Sequence, residues 1–263
     1  MRRYLLALVP FLWAGVAHAE VKTKTIAYKH GDVTLEGYLA YDDSAKGKRP
    51  GVLVVHEWTG HNPYARKRAE MLAKLGYVAF ALDMYGKGVQ AKDAKQAAAF
   101  AGKYKGDRKL MRARAAAGLD VLRKQPQVDT KRLAVMGYCF GGTTSLELAR
   151  GGADLVGVVS FHGDLATPMP AKAGDIKGKV LVLHGADDPF VPPAQVAGLE
   201  EEMKKAGVNY EVDQYGGAVH SFTNPGAGND NSKGAAYNEQ ADHRSWERMR
   251  GFFDEIFQVK KKK

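Results

Sequence analysis

The chain has 263 residues, 45% hydrophobic and 26% charged, which supports one large domain with its own core and excludes a disordered chain. Its single cysteine, Cys139, excludes an intramolecular disulfide and a cysteine-based zinc cluster. The net charge of +10 is spread over scattered lysines such as Lys67, Lys74, Lys92 and Lys95, with a solvated run at Lys260 to Lys263; with no nucleic-acid-binding pattern beside it, that excludes nucleic acid as partner and leaves a weak anion preference in a small substrate.

The chain opens as a secretory signal: Arg2 and Arg3, an apolar stretch from Tyr4 to Val16, and a small-x-small site, Ala17-His18-Ala19, ahead of Glu20. The apolar stretch is too short for a comfortable membrane span. Cleavage after Ala19 removes two arginines and no acid, which leaves 244 residues and lowers the net charge from +10 to +8. The expectation is a periplasmic or secreted protein of residues 20–263 with no stable membrane insertion; the sequence leaves the oligomeric state open, with a monomer favoured.

Val21 to Tyr28 and Val33 to Tyr41 read as strands of an antiparallel hairpin turned at His30-Gly31-Asp32. Gly51 to His56 is wholly apolar until its last residue, as a buried central strand should be. Pro63 to Leu75 reads as a helix stopped by Gly76, Tyr77 to Leu82 as a strand, and Ala91 to Tyr104 and Arg108 to Lys124 as helices. Leu133 to Met136 is a strand, followed by Gly137-Tyr138-Cys139-Phe140-Gly141-Gly142 and a helix to Arg150. Strands at Leu155 to Phe161, Val180 to His184 and Tyr210 to Gln214, a helix from Pro193 to Ala206 and a terminal helix from Gly234 to Phe257 complete the reading. Such alternation predicts an α/β domain with a mostly parallel central sheet and helices on both faces. Ligands on such sheets bind at the carboxyl ends of the strands.

Four motifs fall at those ends. Gly137-Tyr138-Cys139-Phe140-Gly141 has the G-x-S-x-G spacing of a nucleophile elbow, with cysteine in the serine place. The sharp strand-to-helix turn leaves no room for side chains two residues to either side, and it sets Cys139 at a helix N-terminus. In His184-Gly185-Ala186-Asp187-Asp188-Pro189, a carboxylate follows a strand in a tight turn; Asp188 is preferred to Asp187 as partner of the base. Gly216-Gly217-Ala218-Val219-His220 places a histidine on a glycine-rich loop after the last strand, in position to act as the base. Cys, Asp, His is the chain order of the α/β-hydrolases. His56-Glu57-Trp58-Thr59-Gly60 follows the first parallel strand, where the Trp58 amide is placed to share an oxyanion hole with that of Phe140, and the indole to wall the pocket. Glu57, read from the residues alone, is a surface glutamate. His162 and His184 end strands near the site and are read as structural.

Together with Asp83-Met84-Tyr85-Gly86, Asp188-Pro189-Phe190-Val191-Pro192 and His220-Ser221-Phe222, these motifs resemble the dienelactone hydrolase family from about Val33 to Phe257. The resemblance implies an eight-stranded α/β-hydrolase domain, no cofactor and no metal, and opening of a cyclic enol-lactone by a Cys139, His220 and Asp188 triad. It implies that Glu57 hydrogen-bonds the resting thiol until substrate displaces it. It places the substrate-binding positions at Tyr85, Lys87 and Asn224. Where the family has two arginines for a substrate carboxylate, this chain has Lys87, a charge without a bidentate fork, and Asn224, which has neither. The expected activity is hydrolysis of a small ester or lactone through a cysteine thioester. A non-catalytic binding protein on the same scaffold, a thiol redox protein and a peptidase stay open beside it.

Overall fold

The computed structural model describes residues 20–258. The segment read as a signal and the Lys260 to Lys263 run lie outside the described residues. The chain opens with β1 (Val21–His30) and β2 (Val33–Asp42), which pair antiparallel through the two-residue turn Gly31-Asp32, with Gly31 at φ 58°. Then follow β3 (Arg49–Val55), α1 (Pro63–Lys74), β4 (Val78–Leu82), α2 (Ala94–Gly106) and α3 (Arg108–Arg123). The second half contains β5 (Val128–Tyr138), α4 (Phe140–Arg150), β6 (Gly157–Phe161), β7 (Lys179–Gly185), α5 (Pro193–Ala206), β8 (Tyr210–Tyr215) and α6 (Glu239–Ile256).

The strands form one eight-stranded sheet in the order β1-β2-β4-β3-β5-β6-β7-β8, parallel from β4 through β8 and antiparallel at the hairpin edge. This is the α/β-hydrolase fold. Alternation along each central strand divides the core. Val52, Val54, Met136 and Phe161 pack on one face against Leu72 of α1 and Phe253 of α6. Leu53, Val55, Val135 and Val182 pack on the other against Met111, Leu146 and Leu199 of α3, α4 and α5. Strands buried on both faces must be apolar throughout, which is why β3 and β4 read as unbroken hydrophobic runs.

Two helix starts lie three or more residues from the sequence reading, while helix ends differ by at most two residues. The α2 helix begins at Ala94 because the Asp93 side chain accepts the Gln96 amide and caps it. The terminal helix begins at Glu239, not Gly234. Gly234 adopts φ 76°, Ala235 bridges to His220, and Asn238 caps the helix through the Ala241 amide. Among the described residues, no helix is long and apolar enough to cross a membrane.

Candidate active site

The β5 strand runs straight into α4 at Cys139, whose backbone takes φ 53° and ψ −117°. That positive φ is costly for a residue with a Cβ and is held in place by its surroundings. The Cys139 amide donates to the Phe161 carbonyl at 3.0 Å and to Nδ1 of His162 at 3.1 Å. The flanking glycines are required sterically. A Cβ on Gly137 would lie 2.1 Å from the Gly141 carbonyl oxygen, and one on Gly141 would lie 2.2 Å from that of Val55.

His220 arrives from the loop after β8. Its Nε2 lies 3.0 Å from the Cys139 sulfur and its Nδ1 lies 2.8 Å from Asp188 Oδ2. The other Asp188 oxygen accepts the Phe190 amide at 2.8 Å, so the carboxylate is fixed by two partners. Asp187 instead accepts the Gly217 amide at 2.9 Å and tethers the turn ahead of the histidine. The histidine loop is strapped down: the His220 amide donates to Gly234 O at 3.1 Å and its carbonyl accepts from Ala236 at 3.0 Å. Burial works against a charge on His220. The sulfur's negative charge and the hydrogen bonds that the imidazole donates to Asp188 and to Cys139 more than offset it, and its pKa is pushed up to about 10.

Behind this row is a buried polar layer that the sequence reading treated as packing or did not mention. His162 accepts from the Cys139 amide, which leaves its Nε2–H to donate to Thr223 Oγ1 at 2.7 Å. Burial, with His220 and Arg68 nearby, keeps it neutral. Arg68, also buried, donates to the Thr223 carbonyl at 2.7 Å and to Asp242 at 2.6 Å. No local pattern flags Arg68, because its partners lie far along the chain.

Trp58 and Phe140 line a cavity of about 500 Å³ that also contains Cys139 and His220. Among the described hydrogen bonds, neither the Trp58 nor the Phe140 amide donates to a protein acceptor. Glu57 is not a surface residue: it is 5% exposed, and its carboxylate accepts a hydrogen bond from Asn224 Nδ2. Burial pushes its carboxyl up, with the Asn224 hydrogen bond and the charges of His220 and Arg68 opposing. Its side-chain partner is thus Asn224 and not the Cys139 thiol.

The three expected substrate-binding residues lie outside the cavity wall. Lys87 Nζ pairs with Glu36 of β2 at 3.1 Å, its side chain 58% exposed. Asn224 is committed to Glu57. The Tyr85 ring packs against His56 and Phe140, and its hydroxyl donates to the Trp58 carbonyl at 3.0 Å, which supports the loop from behind. The wall is formed instead by residues that include Lys105, Asp164, Phe190, Gln195 and Lys233. Of these, only Phe190 lies in a motif quoted from the sequence. Among the described residues, no three His, Cys, Asp or Glu side chains gather to hold a metal ion.

The dienelactone hydrolase family model matches residues 35–257. A "Putative carboxymethylenebutenolidase" of Synechocystis sp. is 27% identical over 254 residues, covering 89% of this chain and 97% of that protein. Among solved structures, one named m3DLH is 44% identical with a TM-score of 0.85, covering 90% of this chain and 98% of its own. A dienelactone hydrolase-like promiscuous phosphotriesterase from metagenomic libraries is 42% identical with a TM-score of 0.84 over the same shares. The chain therefore belongs to the dienelactone hydrolase family and is a hydrolase of ester or lactone bonds.

Proposed function

We propose that the mature protein is exported and hydrolyses a small ester or lactone through a thioester on Cys139. What carries the reading is the continuous row from sulfur through imidazole to carboxylate, with spacings of 3.0 and 2.8 Å. Cys139 attacks the carbonyl carbon as a thiolate, its proton already held on His220, in keeping with the raised pKa of that imidazole. The resulting oxyanion is received by the Trp58 and Phe140 amides. Collapse breaks the C–O bond, and His220 hands the proton to the leaving oxygen. Water then attacks the thioester, losing a proton to His220, and the acid departs as the thiolate is expelled beside the protonated imidazole. Asp188 holds the imidazole in one orientation throughout.

Turnover of a short activated ester, with and without Cys139→Ala, tests this. The variant should lose all turnover above background, and a trapped intermediate should appear as an acyl mass on the peptide that carries Cys139. Undiminished turnover in the variant would sink the mechanism. Export rests on the Ala17-His18-Ala19 sequence; a secreted protein beginning at Glu20 is the expected product. The likeness to the phosphotriesterase favours a second reading, attack on a neutral phosphotriester, which an aryl dialkyl phosphate tests directly.

A further inference from the structure

Resting on that hydrolase reading, we infer that the cavity takes an uncharged ester, with an aryl or alkyl group seated between Trp58 and Phe190. Trp58 is 37% exposed and Phe190 58% exposed, although large apolar side chains elsewhere in the described chain are mostly buried. Both line the same cavity as Cys139 and His220. Exposed apolar surface grouped at a cavity marks a place where apolar ligand surface is covered. Phe190 is also held in position. Its ring stands edge-on to His220, with centroids 5.5 Å apart at 89°, and it abuts Gly234, where a Cβ would lie 3.1 Å from the ring.

Each lysine in the cavity wall already has a carboxylate beside it, Lys105 in the half-exposed pair and Lys233 in the more exposed one, where water screens the attraction. Lys105 Nζ lies 3.2 Å from Asp164 Oδ2, and both residues are in the wall. Lys233 Nζ lies 3.6 Å from Asp230. The two positions from which a substrate carboxylate would be expected to be held contribute nothing: Lys87 faces Glu36, and Asn224 faces Glu57. Gln195 directs its carbonyl oxygen to the Leu165 and Ala166 amides. A carboxylate entering the cavity would lose hydration, would have to compete with Asp164 and Asp230 for the two lysines, and would meet the Asp164 charge. An uncharged substrate meets none of these penalties. The weak anion preference read from the net charge therefore does not extend to this cavity.

Two matched esters test the inference on the mature protein: methyl 4-acetoxybenzoate and the anion 4-acetoxybenzoate, each rate divided by its hydroxide-catalysed rate. The neutral ester should be preferred in kcat/KM by more than about threefold, since a buried unpaired charge is strongly disfavoured; a smaller ratio, or preference for the anion, overturns the inference. Phe190→Arg, at a side chain 58% exposed, should move the ratio toward the anion, with an unchanged melting temperature as control. A ratio that stays put in this folded variant also overturns it. If neither ester is turned over and Cys139 acquires no acyl mass, the hydrolase reading itself fails. Turnover of both esters with the anion preferred refutes the substrate class alone.

Discussion

His56 donates its Nδ1–H to the carbonyl oxygen of Glu57 at 2.6 Å, while its Nε2 accepts the Met84 amide at 3.2 Å. These two bonds fix one neutral tautomer. Burial keeps it neutral, against the pull of the Glu57 carbonyl and the Asp83 charge. The Glu57 carbonyl also accepts from Gly60 at 3.2 Å. In a trans peptide, C=O and N–H point in opposite directions. Pinning the Glu57 oxygen therefore also fixes the direction of the Trp58 N–H, the amide assigned to the oxyanion under the proposed mechanism. His56→Ala should lower kcat by about 10²-fold or more, the scale of a lost oxyanion donor, with KM little changed. His56→Gln, which keeps a donor, should recover part of the loss. A fall in melting temperature with kcat intact would reduce His56 to a packing role.

The elevated pKa of His220 has a thermal and a spectroscopic consequence. Burial opposes the charge, but the sulfur and Asp188 lift the folded value to about 10, whereas a free histidine titrates near 6.5. Between those values the folded protein holds a proton that the unfolded chain has released. The stabilisation is complete below about pH 6.5 and is lost as pH rises toward 10. Denaturant midpoints should fall across that window, and the fall should be much smaller in His220→Gln. In Cys139→Ala, which removes the sulfur's charge, the imidazole should titrate well below its wild-type midpoint by NMR. An unmoved midpoint would show that the sulfur is not what raises it.

The sequence made most of this architecture legible where the information is local. Unbroken apolar runs marked β3 and β4, and glycine spacing marked the turn at Cys139, because the close contact of Gly137 with Gly141 is a requirement of that one turn. Contacts set by distant chain segments were not legible. Glu57 is drawn inward by Asn224, 167 residues away. Lys87 is diverted by Glu36, on the edge hairpin that folds over its loop. The start of α6 was misread because Ala235 is taken up by the bridge to His220, a use that no helical periodicity reveals. The Lys105–Asp164 pair joins the end of α2 to the loop after β6, and only the assembled sheet brings them together.

Arg68 ties the histidine loop to α6. Its guanidinium joins the Thr223 carbonyl to Asp242 and lies over the Tyr138 ring at 5.3 Å, one residue before the nucleophile. Side-chain exposures of 6% for Arg68 and 16% for Asp242 make this a largely desolvated pair. Removing one partner strands the other, at a cost of about 3 kcal/mol. Arg68→Met should lower stability by that amount in urea unfolding. Adding Asp242→Leu should return part of it, because no charge is then left unpaired. If the double variant is no more stable than Arg68→Met alone, the stranded charge is not the cause.

Two glycine-to-alanine changes should have opposite effects. At Gly198, inside α5, an added Cβ meets nothing within 4 Å. Alanine is about 0.8–1.0 kcal/mol better than glycine in a helix interior, so Gly198→Ala should raise the melting temperature and leave turnover unchanged. At Gly137 the same methyl would lie 2.1 Å from the Gly141 carbonyl oxygen and 2.8 Å from Ser145 Oγ. The carbonyl belongs to the first turn of α4 and accepts the Ser145 hydroxyl at 2.8 Å, so it cannot retreat without unwinding the helix. Gly137→Ala should therefore cost several kcal/mol, on the scale of severe overpacking, and yield protein that is insoluble or inactive. Soluble Gly137→Ala with wild-type turnover would mean that the elbow can open, and that the close approach of β5 to α4 is not what fixes Cys139 at its strained φ.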